Sequence, residues 1–527
     1  MIETHDAIVI GAGPNGLVAA NRLIDAGWSV LVLEAQPSIG GAVKSDEGVE
    51  PGFVHDTFSA FYPLAAVSPT IKSFRLEEHG LTWRHAPGVL GHPTPDGEWA
   101  VLHRDRTITA ALMEAQHPGD GDAWLALCDQ WDKIGSDIVN LLISPFPPIK
   151  HGLAAVTKLR RVGGLEFIRA MLTPVAELSA VKFGGQAPRL LLAGNAAHAD
   201  IPLHAPGSGL MGVLLVMLGQ TFGFPVPEGG AGKLAEALHR RFRSLGGTVR
   251  CSAEVDRITV SDRRATAVRT IDGEVFPAAR AVIADVSALH LYGGLVAASD
   301  LPARTVRRMR SFELDPGTIK VDWAMKSAVP WMAPPPHAPG TVHVADSMEQ
   351  MNEALTQVAS GAIPAAPFML VGQMTTSDPT RSPPGTESLW AYTHVPHVTR
   401  EDAGGEGIEG RWNHDDCEKF ADRMQARLER LAPGFGERIL SRRVLGPAEL
   451  ESRDANLIGG AINGGTAQLH QQLLLRPIPG WGRAETPIKG LYLGSASAHP
   501  GGGVHGAPGM NAARAALAHA RFSVRAR

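Results

Sequence analysis

The sequence predicts an α/β fold in which a nucleotide-binding domain is interrupted twice along the chain. Three observations predict it: a strand–glycine turn–helix–strand unit at 7–34, a helix, Gly-Gly turn and strand at 232–258, and a strand, glycine cluster and alanine-rich helix at 488–527. Alternating strands and helices favour a parallel sheet with helices on its faces. The two long segments between these blocks, about 71–224 and 287–453, are predicted to form an inserted α+β domain.

The first block has the spacing of a dinucleotide-binding βαβ unit. A strand at 7–10 leads into the turn Gly11-Ala12-Gly13-Pro14-Asn15-Gly16, a helix follows to Ala26, and a second strand at 30–33 ends in Glu34. The first glycine permits the tight turn, the second lets the backbone approach a pyrophosphate, and the third lets the helix pack close to the strand. The helix N-terminus offers N–H groups to phosphates, and the acid can accept hydrogen bonds from ribose hydroxyls. The block therefore predicts a dinucleotide site.

A second glycine motif follows the acid directly. After Ala35, the stretch Ser38–Ser45 contains the pair Gly40-Gly41 and ends in a serine. Here the sequence resembles the FAD-binding superfamily of amine oxidases and carotenoid desaturases, whose N-terminal motif continues into a Gly-Gly pair and a Ser. The resemblance implies a Rossmann-type FAD-binding domain and FAD rather than NAD. It assigns FAD contacts to Gly11, Gly13, Pro14, Asn15, Gly16, Glu34, Ala35, Gly40, Gly41 and Ser45.

Composition excludes several classes. The 527 residues are 44% hydrophobic and can form about two domains, and 49 Lys and Arg against 53 Asp and Glu leave a net charge of −4, so no nucleic-acid partner is expected. Cys128, Cys251 and Cys417 form no C-x-x-C pair, which fits a reducing compartment and argues against a disulfide reductase. We see no metal-ligand cluster and no targeting peptide, so a metal-free, cytoplasmic protein is expected.

The middle block resembles the carotenoid-desaturase branch of the superfamily. Its helix, Gly246-Gly247 turn and strand pattern Val255-x-x-Ile258 occur in order. In that branch the chain returns here to the FAD domain, and the resemblance implies that the backbone of Val255 meets the adenine. A strand at 280–285 is predicted to follow.

The C-terminal block resembles the C-terminal FAD motif of phytoene desaturases and retinol-saturase-like flavoproteins. A strand at 488–494 precedes the glycine-rich stretch 499–510, and a helix follows. Glycine-rich turns bring backbone N–H groups to an anion or a ring. The resemblance implies contacts to the ribityl chain and the flavin. They fall on Gly494, Gly502, Gly503, Val504 and Gly506.

These resemblances cover the predicted FAD-binding domain, which we assemble from 1–70, 225–286 and 454–527. The segments 71–224 and 287–453 are assigned to the substrate domain. Its cavity is expected at the domain junction, where ligand sites commonly occur. No cysteine lies between 495 and 506, so FAD is expected to bind non-covalently, and covalent attachment through His499 or His505 is the alternative.

Two stretches near the end of the first insert look like functional motifs, a nucleotide-binding turn and a membrane-spanning helix, but we assign them neither function. A second G-x-G-x-x-G at 207–212 follows His-Ala-Pro and not a strand, so we do not assign it to NAD(P). The uncharged span 201–227 is continuously apolar only over 210–218, far short of the roughly 20 residues that a membrane-spanning helix requires. A buried helix that lines a cavity is predicted here.

Candidate catalytic groups are few. Lys320 lies in the alternating stretch 317–324, which resembles the strand of flavin amine oxidases whose lysine is water-bridged to flavin N5; an edge-strand lysine is the alternative. His499 and His505 are candidates on position alone. No catalytic triad or base is evident.

We therefore predict a phytoene desaturase-like FAD enzyme that dehydrogenates a hydrophobic carotenoid- or lipid-like substrate by hydride transfer to flavin N5. Saturation or cis–trans isomerisation would use the same architecture. An amine-oxidase-like reaction and a non-enzymatic FAD-binding assembly factor are the alternatives. The sequence carries no indication of the oligomeric state.

Peripheral membrane contact is the last expectation. The stretch 138–182 is helical in pattern, apolar and basic, and such a surface suits anionic lipid, although an ordinary solvated helical face is the alternative. The proposed apolar contacts are Leu141, Leu142, Ile143 and Phe146. The proposed head-group contacts are Lys150, Lys158, Arg160 and Arg161.

Overall fold

The computed structural model describes residues 4–148 and 162–525, and within them it contains two seven-stranded sheets. The strands of the two sheets are, in chain order, β1 (His5–Ile10), β2 (Val30–Leu33), β3 (Gly88–Pro93), β4 (Trp99–Leu102), β5 (Thr248–Arg250), β6 (Val255–Ser261), β7 (Arg264–Thr270), β8 (Val275–Ala284), β9 (Gly317–Met325), β10 (Pro339–Val344), β11 (Met369–Gln373), β12 (Glu387–Val395), β13 (Ile439–Leu445) and β14 (Leu491–Leu493).

The helices of seven residues or more among the described residues are, in chain order, α1 (Pro14–Ile24), α2 (Arg106–Gln116), α3 (Asp120–Ile143), α4 (Leu165–Leu172), α5 (Val175–Lys182), α6 (Gln186–His198), α7 (Ser208–Phe222), α8 (Gly232–Ser244), α9 (Ala303–Met309), α10 (Met348–Ser360), α11 (His414–Leu431), α12 (Pro447–Arg453) and α13 (Ala507–Arg525). Short helical turns also occur, including Pro63–Val67 and Pro69–Lys72.

The first sheet has the strand order β6-β7-β8-β1-β2-β5, and β14 pairs with β8. Its centre is parallel, with Ile10 opposite Leu33 on one side and Ala284 on the other, while β6, β7 and the first part of β8 form antiparallel pairs. The apolar run 7–10 is buried, as a central parallel strand requires. Helices α1, α8 and α13 share one hydrophobic core with this sheet. The predicted α/β fold is confirmed.

The second sheet has the order β13-β9-β12-β11-β10-β3-β4 and is antiparallel except between β3 and β10. Helices α3 to α7 and α10 pack on one side of it, where Trp390 joins their core. On the other side, Val321 and Trp323 of β9 pack with Phe420 of α11. Residues 318, 320 and 322 of β9 therefore face the helical layer side by side, because side chains alternate along a strand.

The strands of the first sheet come from 5–33, 248–284 and 491–493, and those of the second from 88–102 and 317–445. The domain boundaries at 70, 224, 286 and 453 remain a prediction.

The described residues include no helix long and apolar enough to cross a membrane. Helix α7, which contains the second glycine motif, has 15 residues and is mostly buried. A Cβ at Gly209 would lie 2.3 Å from the carbonyl oxygen of Thr173, and one at Gly212 would lie 2.7 Å from that of Leu192. These glycines therefore allow close packing of α7 against its neighbours.

The predicted membrane-facing stretch is only partly described. Lys150, Lys158, Arg160 and Arg161 lie outside the described residues. Leu141, Leu142, Ile143 and Phe146 are half-buried. The last of these packs edge-on against the ring of His499 at 6.3 Å.

Candidate active site

The glycine turn after β1 leaves no room for side chains. Gly11 has φ 95°, and a Cβ there would lie 2.8 Å from the carbonyl oxygen of Asp285. A Cβ at Gly16 would lie 2.1 Å from the carbonyl oxygen of Gly11, and one at Gly13 would lie 2.9 Å from the Asp285 carboxylate. Pro14 and Asn15, both half-buried, open α1 directly after the turn. The first motif thus forms the compact strand–turn–helix that a pyrophosphate site requires.

Glu34 is buried at the end of β2 and reaches back to the turn. Its Oε2 accepts the Ala12 N–H at 2.7 Å, and its Oε1 accepts the Gln36 N–H at 2.9 Å. Ala35, the next residue, is exposed. Val255 is buried in the same core as Leu33, which places the middle block beside this acid. The arrangement suits a carboxylate that binds ribose while a backbone N–H of the glycine turn holds it in place.

We expect Glu34→Ala to weaken FAD binding. One or two charged hydrogen bonds to the ribose would be lost, each on the order of 1.5–3 kcal/mol. Flavin fluorescence after serial dilution measures the change. Glu254→Ala removes an exposed acid just before β6 and serves as the control. Flavin retention equal to that of the control would contradict the assignment of Glu34.

The Gly-Gly motif lies on the same turn. The Gly40 N–H donates to the Ala12 carbonyl at 2.9 Å, and a Cβ at Gly41 would lie 3.0 Å from the Cα of Gly13. Farther along, the Ser45 hydroxyl donates to Asp56 Oδ1 at 2.7 Å and accepts the Gly232 N–H at 3.1 Å. The motif therefore lies between the turn and the start of α8.

Two acids beside the turn, the buried Asp285 and the half-buried Asp454, were missed by sequence reasoning. Asp285 Oδ2 accepts the Gly16 N–H at 2.7 Å, and Asp454 Oδ2 would lie 3.4 Å from a Cβ at Gly41. Burial, reinforced by Asp454 and Glu34, raises the pKa of Asp285 to about 8. Burial also raises the pKa of Asp454. Only the parallel pairing of β8 with β1 brings Asp285 to this turn, so no local signal marks it.

We expect the FAD-free protein to lose stability as pH rises toward 8. The pKa of Asp285 is 3.8 in an unfolded chain and about 8 here, so between these values the folded state binds the extra proton. That contribution is complete below pH 3.8 and is lost as pH rises through about 8. Urea unfolding across this window, compared with Asp285→Asn, measures it. A decline of equal size in the variant would contradict this origin.

The C-terminal glycine cluster meets the N-terminal motif. A Cβ at Gly506 would lie 2.7 Å from Val18 of α1, and one at Gly503 would lie 2.8 Å from Leu64. A Cβ at Gly502 would likewise lie 2.9 Å from the carbonyl oxygen of Asn463. The Gly494 N–H donates to the Ala284 carbonyl at 2.8 Å at the end of β14, and Val504 is half-buried with φ 41°. The two glycine clusters thus lie next to each other, as the binding of one extended dinucleotide such as FAD by both motifs requires.

The two predicted histidines lie by this cluster. His499 donates from Nε2 to the Ser144 carbonyl at 2.9 Å, and its buried Nδ1 has no hydrogen-bond partner among the described residues. His505 accepts the Ala507 N–H at Nδ1, 3.1 Å away. Burial lowers the pKa of His499, and burial lowers that of His505 to about 4. Both rings are therefore neutral at pH 7, and their catalytic role remains a prediction.

Lys320 is buried in the middle of β9. That strand pairs with β12 on one side and β13 on the other, so the edge-strand alternative is wrong. The Lys320 ammonium forms a short ion pair with Asp322, which also accepts from Arg443 Nη2 at 2.8 Å. Burial lowers the pKa of Lys320, against the effect of Asp322. Its Nζ lies 5.7 Å from the centre of the Trp390 ring. A role near flavin N5 remains a prediction.

Sequence reasoning also missed a buried ion pair between His394 of β12 and Asp200. His394 Nε2 lies 2.6 Å from Asp200 Oδ1, and the other oxygen of Asp200 accepts the Asn463 amide at 2.7 Å. Burial lowers the pKa of His394, but the nearby Asp200 and Asp315 raise it by more, so the pKa of His394 is raised. Asn463 therefore connects this ion pair to Gly502 of the glycine cluster. No described group of three or more His, Cys, Asp or Glu is arranged to hold a metal.

Comparison with known proteins gives matches over the whole chain. Family models match at residues 9–74, as an NAD(P)-binding Rossmann-like domain, and at 139–312, as a flavin-containing amine oxidoreductase. The chain is 28% identical to pyridine nucleotide-disulfide oxidoreductase domain-containing protein 2 of Mus musculus, over 97% of this chain and 92% of that protein. It is 24% identical to a lycopene-forming phytoene desaturase of Pseudescherichia vulneris, over 97% and 98%.

Among solved structures, putrescine oxidase bound to putrescine has a TM-score of 0.60 at 19% identity, with 100% of both chains covered. At this identity the match shows the shared fold. Cys128, Cys251 and Cys417 are all free.

Proposed function

We propose that this chain, which belongs to the amine oxidase–carotenoid desaturase superfamily of FAD-dependent oxidoreductases, dehydrogenates a neutral, hydrophobic, lipid-like substrate. FAD, when bound, accepts a hydride from a C–H bond, and loss of a proton from the neighbouring carbon leaves a C=C bond. The chain's own residues bind the cofactor through the glycine motifs, orient the substrate and exclude water.

The supporting observation is a wall of apolar and aromatic side chains that begins at the glycine cluster. Leu64 abuts Gly503. Phe61 packs against Trp390 with ring centres 6.0 Å apart, and Trp390 stacks on Tyr392 at 5.9 Å. Phe61, Leu64 and Tyr392 remain partly accessible beside a buried core. Such a surface binds an apolar substrate by removing it from water.

Amine oxidation is the second candidate, favoured by the putrescine oxidase fold and by stacked aromatic faces that attract cations. The Lys320 strand, which resembles that of flavin amine oxidases, also supports it. The half-buried apolar side chains of Phe61 and Leu64 beside the same rings favour a neutral substrate instead. The lycopene-forming relative is named for desaturation of phytoene, a neutral hydrocarbon.

Anaerobic mixing tests the proposal. FAD-loaded protein is combined with detergent-dispersed acyclic polyenes or with primary amines, and the visible flavin absorbance is followed. Bleaching by a polyene and not by amines is expected. Bleaching by amines alone would replace the proposal with amine oxidation. Absence of bleaching by either class would contradict both and favour a non-catalytic role for FAD.

A further inference from the structure

A row of histidine and tyrosine rings lies between the second sheet and its helical layer. In β12, Tyr392 and His394 follow Trp390 at every second residue, so all three face the helices. The ring centre of Tyr392 lies 5.6 Å from that of His394 and 6.4 Å from that of His198. The row therefore begins at His394, which is paired with Asp200, and leads to the end of α6.

The row continues across the sheet into β10 and β3. The ring centre of His343 in β10 lies 5.8 Å from that of His198. A Cβ at Gly194 of α6 would lie 2.3 Å from His343 Nδ1, so the glycine leaves room for this ring. The parallel register of β3 and β10, continued by one residue, places His92 beside His343 on the same face. Five rings thus follow one another.

One end of the row lies at the glycine cluster. Asp200, the partner of His394, accepts the Asn463 amide at 2.7 Å. A Cβ at Gly502 would lie 2.9 Å from the Asn463 carbonyl oxygen. The row therefore starts beside the motif that we assign to the flavin.

The other end of the row lies at the surface. His92 Nε2 donates to the Ala345 carbonyl at 2.9 Å, and Asp346 is the next residue. The Asp346 side chain is 31% exposed and accepts from Arg427 at 3.2 Å and from Arg430 at 2.9 Å. A proton that reaches His92 is therefore next to an acid in contact with solvent.

The three inner histidines have buried nitrogens without a hydrogen-bond partner among the described residues. They are Nδ1 of His92, Nδ1 of His198, and both ring nitrogens of His343. Within the same part of the chain, no hydrogen bond joins one ring of the row to the next. Buried polar groups are costly to leave unpaired, and water commonly supplies the missing bonds at polar internal sites. Water between the rings would complete a continuous hydrogen-bonded path.

The inner rings are suited to pass a proton on and not to keep it. Burial lowers the pKa of His92 and of His198 to about 4, and it lowers the pKa of His343 well below its usual value. These rings are therefore neutral at pH 7. A neutral imidazole has one N–H donor and one acceptor nitrogen, so it can take up a proton on one nitrogen while the other releases one.

We propose that this row of rings, bridged by water, conducts protons between the glycine cluster and the surface at Asp346. In the dehydrogenation, one C–H bond gives its hydrogen and electron pair to FAD. The C–H bond on the neighbouring carbon gives its electron pair to the new C=C bond and releases H⁺. The apolar wall at Trp390 excludes water, so this H⁺ needs a route through polar groups. This use of the path rests on the proposed function.

Reoxidation of the reduced, FAD-loaded protein tests the path without substrate. Ferricyanide takes the electron pair of the reduced flavin, whose proton is then released to solvent. Flavin absorbance follows the electrons, and a pH-indicator dye in weak buffer follows the proton. We expect His343→Leu to slow proton release about a hundredfold, the lower end of what a positioned proton-transfer group contributes. His198→Leu should have a similar effect, and because the path is serial, the double variant should be no slower than the slower single variant.

His239→Leu is the matched control. His239 lies on α8, is half-buried and has an Nε2 that also lacks a partner among the described residues. Flavin content and Tm show that each variant folds. Proton release as fast in the His343 and His198 variants as in the control would overturn the path. Slowing that multiplies in the double variant would also overturn it, because independent structural damage and not one serial route would then be the cause.

Failure of the path and failure of the dehydrogenation are distinguishable. Bleaching by polyenes tests the dehydrogenation, and substrate-free reoxidation tests the path. Slow proton release in the His343 variant without bleaching by any polyene would support the path and remove the substrate assignment. Bleaching by a polyene with unchanged proton release in both variants would support the dehydrogenation and remove the path.

Discussion

Gly16→Ala protein is expected to be recovered without FAD and with a lower Tm. The added Cβ would lie 2.1 Å from the Gly11 carbonyl oxygen and 3.1 Å from Asp285 Oδ2. The turn cannot yield easily, because the Gly11 N–H is bonded to the Leu33 carbonyl at 2.8 Å. Helix α1 must therefore move away from the sheet. Such overpacking costs about 1–3 kcal/mol or more, and it displaces the helix N-terminus that we assign to the pyrophosphate.

The flavin-to-protein absorbance ratio after gel filtration measures this loss, with Tm recorded on the same sample. Gly294→Ala is the control, since nothing lies within 4 Å of a Cβ at that exposed position. A Gly16→Ala protein that keeps the flavin content of the control would show that the turn does not bind FAD as assigned.

Arg381→Met should destabilise the fold by about 3–5 kcal/mol, because it leaves two buried carboxylates without their cation. Arg381 Nη1 lies 3.0 Å from Asp56 Oδ1 and its Nε lies 3.1 Å from Asp378 Oδ2, and all three side chains have 0% exposure. Asp56 also accepts the Ser45 hydroxyl. Loss of the arginine should therefore perturb the flavin site as well as stability.

Guanidinium unfolding measures the change, and the shape of the flavin absorbance spectrum reports on the site. Arg75→Met breaks the ion pair with Glu78, whose partners are 75% and 55% exposed, and should cost no more than about 1 kcal/mol. Similar midpoints for the two variants would mean that the Arg381 cluster contributes no more than a surface pair.

The N-terminal cofactor motif was predictable because the residues that form it lie close together in the sequence. Gly11, Gly13 and Gly16 lie within six residues, and Glu34 follows at the end of the next strand. One βαβ unit positions all four, so spacing alone indicates a dinucleotide. The C-terminal cluster was predictable for the same reason, as a glycine-rich turn between a strand and a helix.

The local sequence pattern is not sufficient to predict whether Lys320 lies on an edge strand or an interior strand. Alternation indicated a strand, but an edge lysine and an interior lysine have the same pattern. The two flanking strands, β12 and β13, are separated from β9 by tens of residues, and only their pairing places this lysine in the interior. The ion pair with Asp322 makes its burial tolerable.

The sequence by itself predicted the fold class and the FAD motifs, since each of the three blocks that predict them is a local arrangement of strand, turn and helix. Tertiary structure alone brought Asp285 to the turn, Arg381 to Asp56, and Asp200 to His394. These partners are 269, 325 and 194 residues apart, so no spacing signals them. These polar groups are buried and need partners when the chain folds, because an unpaired polar or charged group in the interior is far costlier than one in water.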